Sequence, residues 1–290
     1  MEKIEICISC GSTERSVWGM KDGYTLLRCA RCGLVAVSPI PPSTNEIYAA
    51  PDYFSGAAKG FGYVDYDADK EAMRGVFQEY LAQAEKLLPM KDKLLDVGAA
   101  TGFFVALAEA RGWKGEGIEV SDYAAAKGRD RGLRIITGTL ESVALVPGTY
   151  GVVTMFDVIE HVRDPRTAIS LAADVLGKNG VLLVTTPDAG SVLARLLRAH
   201  WHLVVPPEHL YYFTKQSMTV LLESLGFDTI SITHPGKRFT LRYFFATVAR
   251  WCPVPPLPWL ADYFARHAHL GDRSIPFNTY DNLFVVAHKR

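Results

Sequence analysis

At 290 residues the chain can bury a large core, enough for one main domain and an appendage. Its 31 basic residues balance 31 acidic ones with no long run of either sign, so neither a nucleic-acid footprint nor a surface built for acidic substrates is expected. No apolar run approaches the length of a spanning helix and the N-terminus lacks a basic-then-apolar leader, so the expectation is a soluble, cytoplasmic protein.

The first 38 residues read as a four-cysteine zinc ribbon. Four of the five cysteines fall there, as Cys7-Ile8-Ser9-Cys10 and Cys29-Ala30-Arg31-Cys32, each pair followed by a glycine, Gly11 and Gly33. Two CxxC turns separated by a short hairpin present four thiolates, and glycine permits the tight backbone that aims N–H groups at sulfur. A disulfide within a CxxC pair would be strained, and a redox CxxC would open a helix in a βαβ unit, which neither pair does. Four thiolates leave no open position, so zinc bound by Cys7, Cys10, Cys29 and Cys32 would be structural. Cys252, alone among aromatics and prolines, reads as a small buried hydrophobe.

Residues 39–89 read as a linker and an N-terminal helical segment. The joint Ser38-Pro39-Ile40-Pro41-Pro42 is stiff and extended. Residues 43–69 carry Tyr48, Tyr53, Phe54, Phe61, Tyr63 and Tyr66 among glycines and polar residues. Such a stretch either covers an active-site mouth or packs the linker onto the core. Glu71–Leu88 has the apolar spacing of an amphipathic helix, ended by Pro89.

From residue 90 to 290 strands and helices alternate, which predicts an α/β doubly wound sheet. The apolar run Leu94–Val97 stops at Gly98-Ala99-Ala100-Thr101-Gly102, and a helical pattern follows from Phe103 to Arg111. Small residues at a strand-to-helix turn let a ligand approach the backbone and the unpaired N–H groups of the helix start. About twenty residues on, the strand Gly115–Ser121 puts the acid Glu119 where ribose hydroxyls would sit. A strand at Arg134–Ile136 leads to Gly138-Thr139-Leu140-Glu141, and a strand at Gly151–Phe156 ends in Asp157-Val158-Ile159-Glu160-His161. A helix at Pro165–Leu176, a Lys178-Asn179-Gly180 turn and a strand at Val181–Thr185 follow. After a helix at Ser217–Leu225 closed by Gly226, strands are expected at Asp228–Thr233 and Asn282–His288. The insertion at 235–280, with Arg242-Tyr243-Phe244-Phe245 and a proline run from Pro253 to Pro258, could be a lid, a dimer contact, an interfacial membrane patch or plain packing.

Ligands of open α/β sheets bind beyond the carboxyl ends of the strands, where Asp157, Glu160 and His161 place three titratable groups. In one alternative His161 is a general base, with Glu160 orienting its ring. In another, Asp157, Glu160 and His161 hold a divalent cation together with His209 from Pro207-Glu208-His209. In the third, Glu160 and His161 cap the next helix or bond within the core.

Taken in order, Asp-Val-Gly-x-x-x-Gly at 96–102, the acid at 119, the loop at 138–141 and Asp-x-x-Glu-His at 157–161 resemble the class I S-adenosylmethionine-dependent methyltransferases over about residues 70 to 235. The resemblance implies a Rossmann-like sheet of seven strands, the last inserted antiparallel beside the sixth. It implies that Asp96, Gly98, Ala100 and Gly102 shape the methionine end of the cofactor site, that Glu119 and Val120 hold the ribose, that Thr139 and Leu140 flank the adenine, and that Phe156 and Asp157 line the site. Ala100 stands where the family usually has glycine. Thr139 replaces a frequent acid, which leaves adenine recognition to backbone groups. The Asp-x-x-Glu-His cluster with a distant histidine resembles the metal site of the RNA 2′-O-methyltransferases, and partly that of the ubiquinone-pathway O-methyltransferases.

A ribbon ahead of this core also resembles bacterial sugar C-methyltransferases and methyltransferases of surface-polysaccharide pathways. The function implied is methyl transfer to a hydroxyl, with carbon second, of a small molecule or carrier-linked sugar. The alternatives are a non-catalytic ribbon-led interaction module with a vestigial pocket, a metal-dependent RNA 2′-O-methyltransferase, and a dehydrogenase. Fold does not fix function, and oligomeric state is not legible.

Overall fold

Apolar strands buried on both faces organise the chain. The computed structural model describes residues 5–41 and 70–290; the aromatic stretch 43–69 lies outside the described residues. The ribbon contributes β1 (Arg15–Lys21), β2 (Tyr24–Cys29) and β3 (Val35–Ser38). Helix α1 (Arg74–Leu87) then leads to the main sheet: β4 (Lys93–Val97), α2 (Phe103–Ala110), β5 (Lys114–Glu119), α3 (Asp122–Asp130), β6 (Ile135–Thr137), β7 (Tyr150–Phe156), α4 (Pro165–Val175) and β8 (Leu176–Pro187). Beyond it come α5 (Val192–Leu197), β9 (Tyr211–Tyr212), α6 (Lys215–Ser224) and β10 (Phe227–Thr233). The insertion supplies β11 (Lys237–Thr240), α7 (Leu241–Trp251), α8 (Leu257–Arg266), α9 (Ala268–Gly271) and β12 (Ser274–Phe277), and β13 (Asn282–Lys289) ends the chain.

The seven-stranded sheet has the order β10-β13-β8-β7-β4-β5-β6. β4, β5, β6, β7 and β8 run parallel, and β13 is antiparallel to both of its neighbours. Leu94, Leu95, Val152, Val153, Leu182 and Leu183 are wholly buried, the near-continuous apolar pattern of parallel strands covered by helices. Cap chemistry sets the helix starts. Ser121 accepts from Ala124 N at α3, and Asp164 caps α4 ahead of Pro165.

Two local expectations are corrected. The α4 helix ends at Val175, and Lys178-Asn179-Gly180 lies within β8 as an irregularity: pairing with β7 passes from Tyr150–Leu176 to Val152–Val181. Asn179 takes a positive φ of 62° there. Cys252 is exposed, not buried. It follows the last turn of α7, and the proline-rich stretch after it, Pro253 to Pro256, is exposed too.

The ribbon is joined to the core by a shared sheet. β3 pairs antiparallel with β9, setting Val35 against Tyr212 and Ala36 against Tyr211. Thr214 Oγ1 donates to the Cys32 carbonyl at 2.9 Å and Arg166 Nη1 to the Ile8 carbonyl at 3.0 Å. Cys7, Cys29 and Cys32 belong to one apolar cluster with Ile159, Tyr211 and Phe213.

Candidate active site

The turn after β4 is built from positive-φ residues: Gly98 at 77°, Ala100 at 49° and Gly102 at 81°. A Cβ on Gly98 would lie 2.5 Å from Val158 Cγ2, so glycine is required there by space as well as by φ. Ala100 accepts an unfavourable conformation of about 1–2 kcal/mol while its N–H donates to Glu119 Oε2 at 2.7 Å. The other oxygen of Glu119 accepts from Ser121 N at 2.8 Å. One buried carboxylate at the end of β5 thus ties together the turns after β4 and β5.

Asp96 is the second buried acid at this edge. Thr154, its register partner on β7, donates its hydroxyl to Asp96 Oδ1 at 2.5 Å. Burial pushes the Asp96 carboxyl up to about 7; the Thr154 hydrogen bond opposes this and the Glu119 charge adds to it. Glu119 is raised as well, by burial, against its backbone N–H donors. The hydrogen-bond donors to both acids are neutral, and the Lys70 ammonium lowers Asp96 only as the smallest of its influences. Two desolvated carboxyls served by neutral donors suit a ligand that brings hydroxyls and an ammonium group.

The loop after β6 closes against the same strand end, with Gly138 N donating to the Glu119 carbonyl at 2.8 Å. Leu140 is buried, and Thr139 N donates to Ser142 Oγ at 2.8 Å. Of the backbone groups expected to serve adenine, the Thr139 N–H is thus engaged within its own turn. Val120 is half-buried beside Glu119. The Phe156 ring packs among Phe77, Tyr80 and Phe104, with centroids 4.9–5.9 Å away, holding α1 and α2 to the sheet.

The end of β7 brings together some of the expected groups. Nδ1 of His161 lies 2.8 Å from the Glu208 carbonyl, and Nδ1 of His209 lies 2.8 Å from the Leu203 carbonyl. A carbonyl only accepts, so both Nδ1 atoms carry hydrogen and the basic atom of each neutral ring is Nε2. The ring-orienting role expected of Glu160 is filled at Nδ1 by the Glu208 carbonyl. Burial pulls the His161 pKa below its usual value, which keeps the ring neutral. The two imidazoles stand edge to face at 4.6 Å, and Glu160, His161 and His209 offer ligand atoms within 4.8 Å of one another.

Asp157 of the expected four-residue set is not among these three, though its charge and its backbone both act on the His161 ring. It sits at φ 54°, and its carboxylate accepts from Thr185 Oγ1 at 3.0 Å on the neighbouring strand β8.

In the ribbon, Cys7 Sγ and Cys32 Sγ are 3.5 Å apart, as are Cys10 and Cys29, and all four sulfurs lie within 4.8 Å. A tetrahedral zinc site with bonds of about 2.3 Å has sulfur–sulfur edges of about 3.8 Å, so the donor set fits zinc. Gly11 N and Gly33 N close the two knuckles on the Cys7 and Cys29 carbonyls at 2.9 and 3.0 Å. A hydrogen bond from Cys32 lowers the Cys7 thiol and raises Cys32 in turn.

Sequence reasoning missed a polar clasp at the root of the insertion. His234 Nε2 lies 2.8 Å from Asp188 Oδ2, Asp188 N donates to the Asp281 carbonyl at 2.9 Å, and Trp201 Nε1 donates to Asp281 Oδ2 at 2.9 Å. Its members are scattered from 188 to 281 and share no spacing that could announce them. Thr154 was also missed, though its place opposite Asp96 in adjacent strands could have marked it.

The methyltransferase-domain family model matches residues 68–232. The ubiquinone biosynthesis O-methyltransferase of Azoarcus sp. (strain BH72) is 28% identical over 125 residues, 41% of this chain and 51% of that protein. The match thus spans about half the length of that curated relative. Among solved structures, the YcgJ protein of Bacillus subtilis superposes with a TM-score of 0.52 at 16% identity, over 73% of this chain and 98% of its own. Phosphoethanolamine N-methyltransferase 2 of Haemonchus contortus, solved with S-adenosyl-L-methionine, gives 0.53 at 14% identity, over 88% and 62%. At these identities the two structures speak for the fold alone. The family match covers more than half of the chain and contains both buried acids and the glycine turn: this chain belongs to the methyltransferase-domain family.

Proposed function

We propose that this chain transfers a methyl group from S-adenosylmethionine to a hydroxyl of a small molecule or carrier-linked sugar. The observation that carries this is the pair of buried acids, Asp96 and Glu119, flanking a positive-φ glycine turn at the carboxyl edge of the sheet. Asp96 would face the ammonium end of the cofactor and Glu119 its ribose hydroxyls, with Leu140 against the adenine. When bound, S-adenosylmethionine supplies an already activated methyl group on sulfonium sulfur. The chain itself must then align the reactants, exclude water and remove one proton.

His161 suits the proton removal. Its Nδ1 is fixed by the Glu208 carbonyl, burial keeps the ring neutral, and Nε2 is the basic atom that would take the acceptor's proton. A second reading has its own observation. Glu160, His161 and His209 form a compact donor set with both rings oriented by backbone carbonyls, as metal-binding histidines usually are. These residues would hold a divalent cation, whose chemistry there is polarisation of an acceptor oxygen. The ribbon would hold a structural zinc.

A labelled-methyl assay over hydroxyl-bearing acceptors tests the reading. His161→Ala should lower turnover by about 10²- to 10⁴-fold with S-adenosylhomocysteine affinity nearly unchanged. Equal losses in turnover and affinity would remove His161 from the transfer step. Activity lost to a chelator and restored by a divalent cation favours the metal reading; indifference to the chelator favours the base.

A further inference from the structure

We infer that α5 and the 235–280 insertion form one docking face for an anionic lipid surface. Both leave the same edge of the sheet. α5 follows the carboxyl end of β8, while Thr233 pairs with Phe284 and Asn282 with Pro187, so β10 hands the chain to the insertion at that edge as well. The Asp188–His234 and Trp201–Asp281 contacts tie the roots of the two segments together: Asp188 precedes α5, Trp201 follows it, and His234 and Asp281 bracket the insertion. Asp96 and Glu119 stand at the same edge.

The chemistry of this face is that of an interfacial element. Among the described residues no helix is long and apolar enough to span a bilayer. Yet α7 and α8 are short amphipathic helices whose described aromatics meet others of the insertion, as in Phe245 on Phe264 of α8 at 4.9 Å and Phe244 on Phe277 of β12 at 5.5 Å. α8 has no buried residue. Trp259 is 64% exposed and Val254 52%, while on α5 Val192 is 72% and Leu196 76% exposed. A lid folded down over a site would cover such side chains.

Charge identifies the occupant. The whole chain is neutral, but the insertion holds Lys237, Arg238, Arg242, Arg250, Arg266 and Arg273 against only Asp262 and Asp272. Asp272 is already matched by Arg242 at 3.4 Å. Arg195 and Arg198 add exposed positive charge, with no acid between Asp188 and Glu208. Tryptophan and aliphatic side chains interspersed with arginines fit the boundary between lipid headgroups and acyl chains, where apolar burial and attraction to anionic lipid add. A second copy docked by the same face would bring arginine against arginine.

The test is co-sedimentation of the full chain with vesicles of phosphatidylcholine alone or with about 30% phosphatidylglycerol. The chain should sediment with the anionic vesicles only, and less so as salt rises. Trp259→Glu, and Arg195→Glu with Arg198→Glu, should each weaken sedimentation by about tenfold or more. Both variants should still bind S-adenosylhomocysteine, which shows that they are folded. A parent chain that stays in the supernatant, or variants that sediment like the parent, would overturn the proposal. So would a concentration-dependent dimer, measured by ultracentrifugation, that either variant dissociates.

Discussion

Asp96 makes ligand binding a proton-linked event. Its carboxyl is buried at the end of β4 and raised to about 7, by burial first, so at neutral pH the free protein holds a proton there part of the time. The amino group of S-adenosylhomocysteine placed beside it favours the ionised form, and binding then expels that proton. The sign follows from linkage: below about pH 7 affinity falls by about tenfold per pH unit, and well above it affinity is flat. Between pH 8 and pH 6 the dissociation constant should therefore rise by about tenfold. Calorimetry in two buffers of different ionisation enthalpy should count about 0.9 proton released per ligand at pH 6 and about 0.1 at pH 8. Glu119 is also raised and contributes in the same direction; Asp96→Asn separates the two, binding more weakly at pH 8 and losing most of the pH dependence. Equal affinities at pH 6 and pH 8, or no proton release, would refute the reasoning.

The same shift acts on folding. A carboxyl raised in the folded state stabilises it below the unfolded pKa of 3.8 and loses that contribution as pH climbs through about 7. Asp96→Asn should thus raise the melting temperature of the ligand-free protein at pH 8, by about 4 kcal/mol of stability at most. Glu119→Ala removes the acceptor of Ala100 N and Ser121 N, costing about 2 kcal/mol of stability. It should also raise the S-adenosylhomocysteine dissociation constant by about 100-fold, measured by calorimetry. Gly98→Ala meets Val158 and a positive φ and should cost about 3 kcal/mol in chemical denaturation. Removing the zinc proposed for the ribbon should loosen β3 from β9, and Val37 N donates to the carbonyl of Leu210, the residue after His209. Methyl transfer should then fall by more than about tenfold while S-adenosylhomocysteine affinity changes by less than about threefold; a proportional loss of both would show that the ribbon acts on the whole fold.

What could be read from sequence was local. Gly98 and Gly102 announce a turn because only glycine accepts that backbone cheaply, and Glu119 follows one helix later as the geometry of a βαβ unit requires. The antiparallel place of β13 came through resemblance, since nothing in Asn282–His288 itself encodes a direction.

The remainder depended on distant partners. Thr185, on the next strand, donates to the Asp157 carboxylate beside the Glu160–His161–His209 trio, a contact no local spacing announces. The tautomers of His161 and His209 are set by backbone carbonyls at Glu208 and Leu203, which leave no mark on residue type. β9 is only two residues long, too short for a period, yet it joins the ribbon to the core. Cys252 sits among apolar residue types yet is exposed, as is the proline-rich stretch Pro253 to Pro256 after it, and residue type alone does not carry that exposure.

The central claim is that the glycine turn with Asp96 and Glu119 forms an S-adenosylmethionine pocket. A calorimetric titration of the intact chain with S-adenosylhomocysteine, and separately with NAD, tests it most directly. One site of about micromolar affinity is expected for S-adenosylhomocysteine, with no binding of NAD. Binding of NAD instead, or of neither ligand, would contradict it.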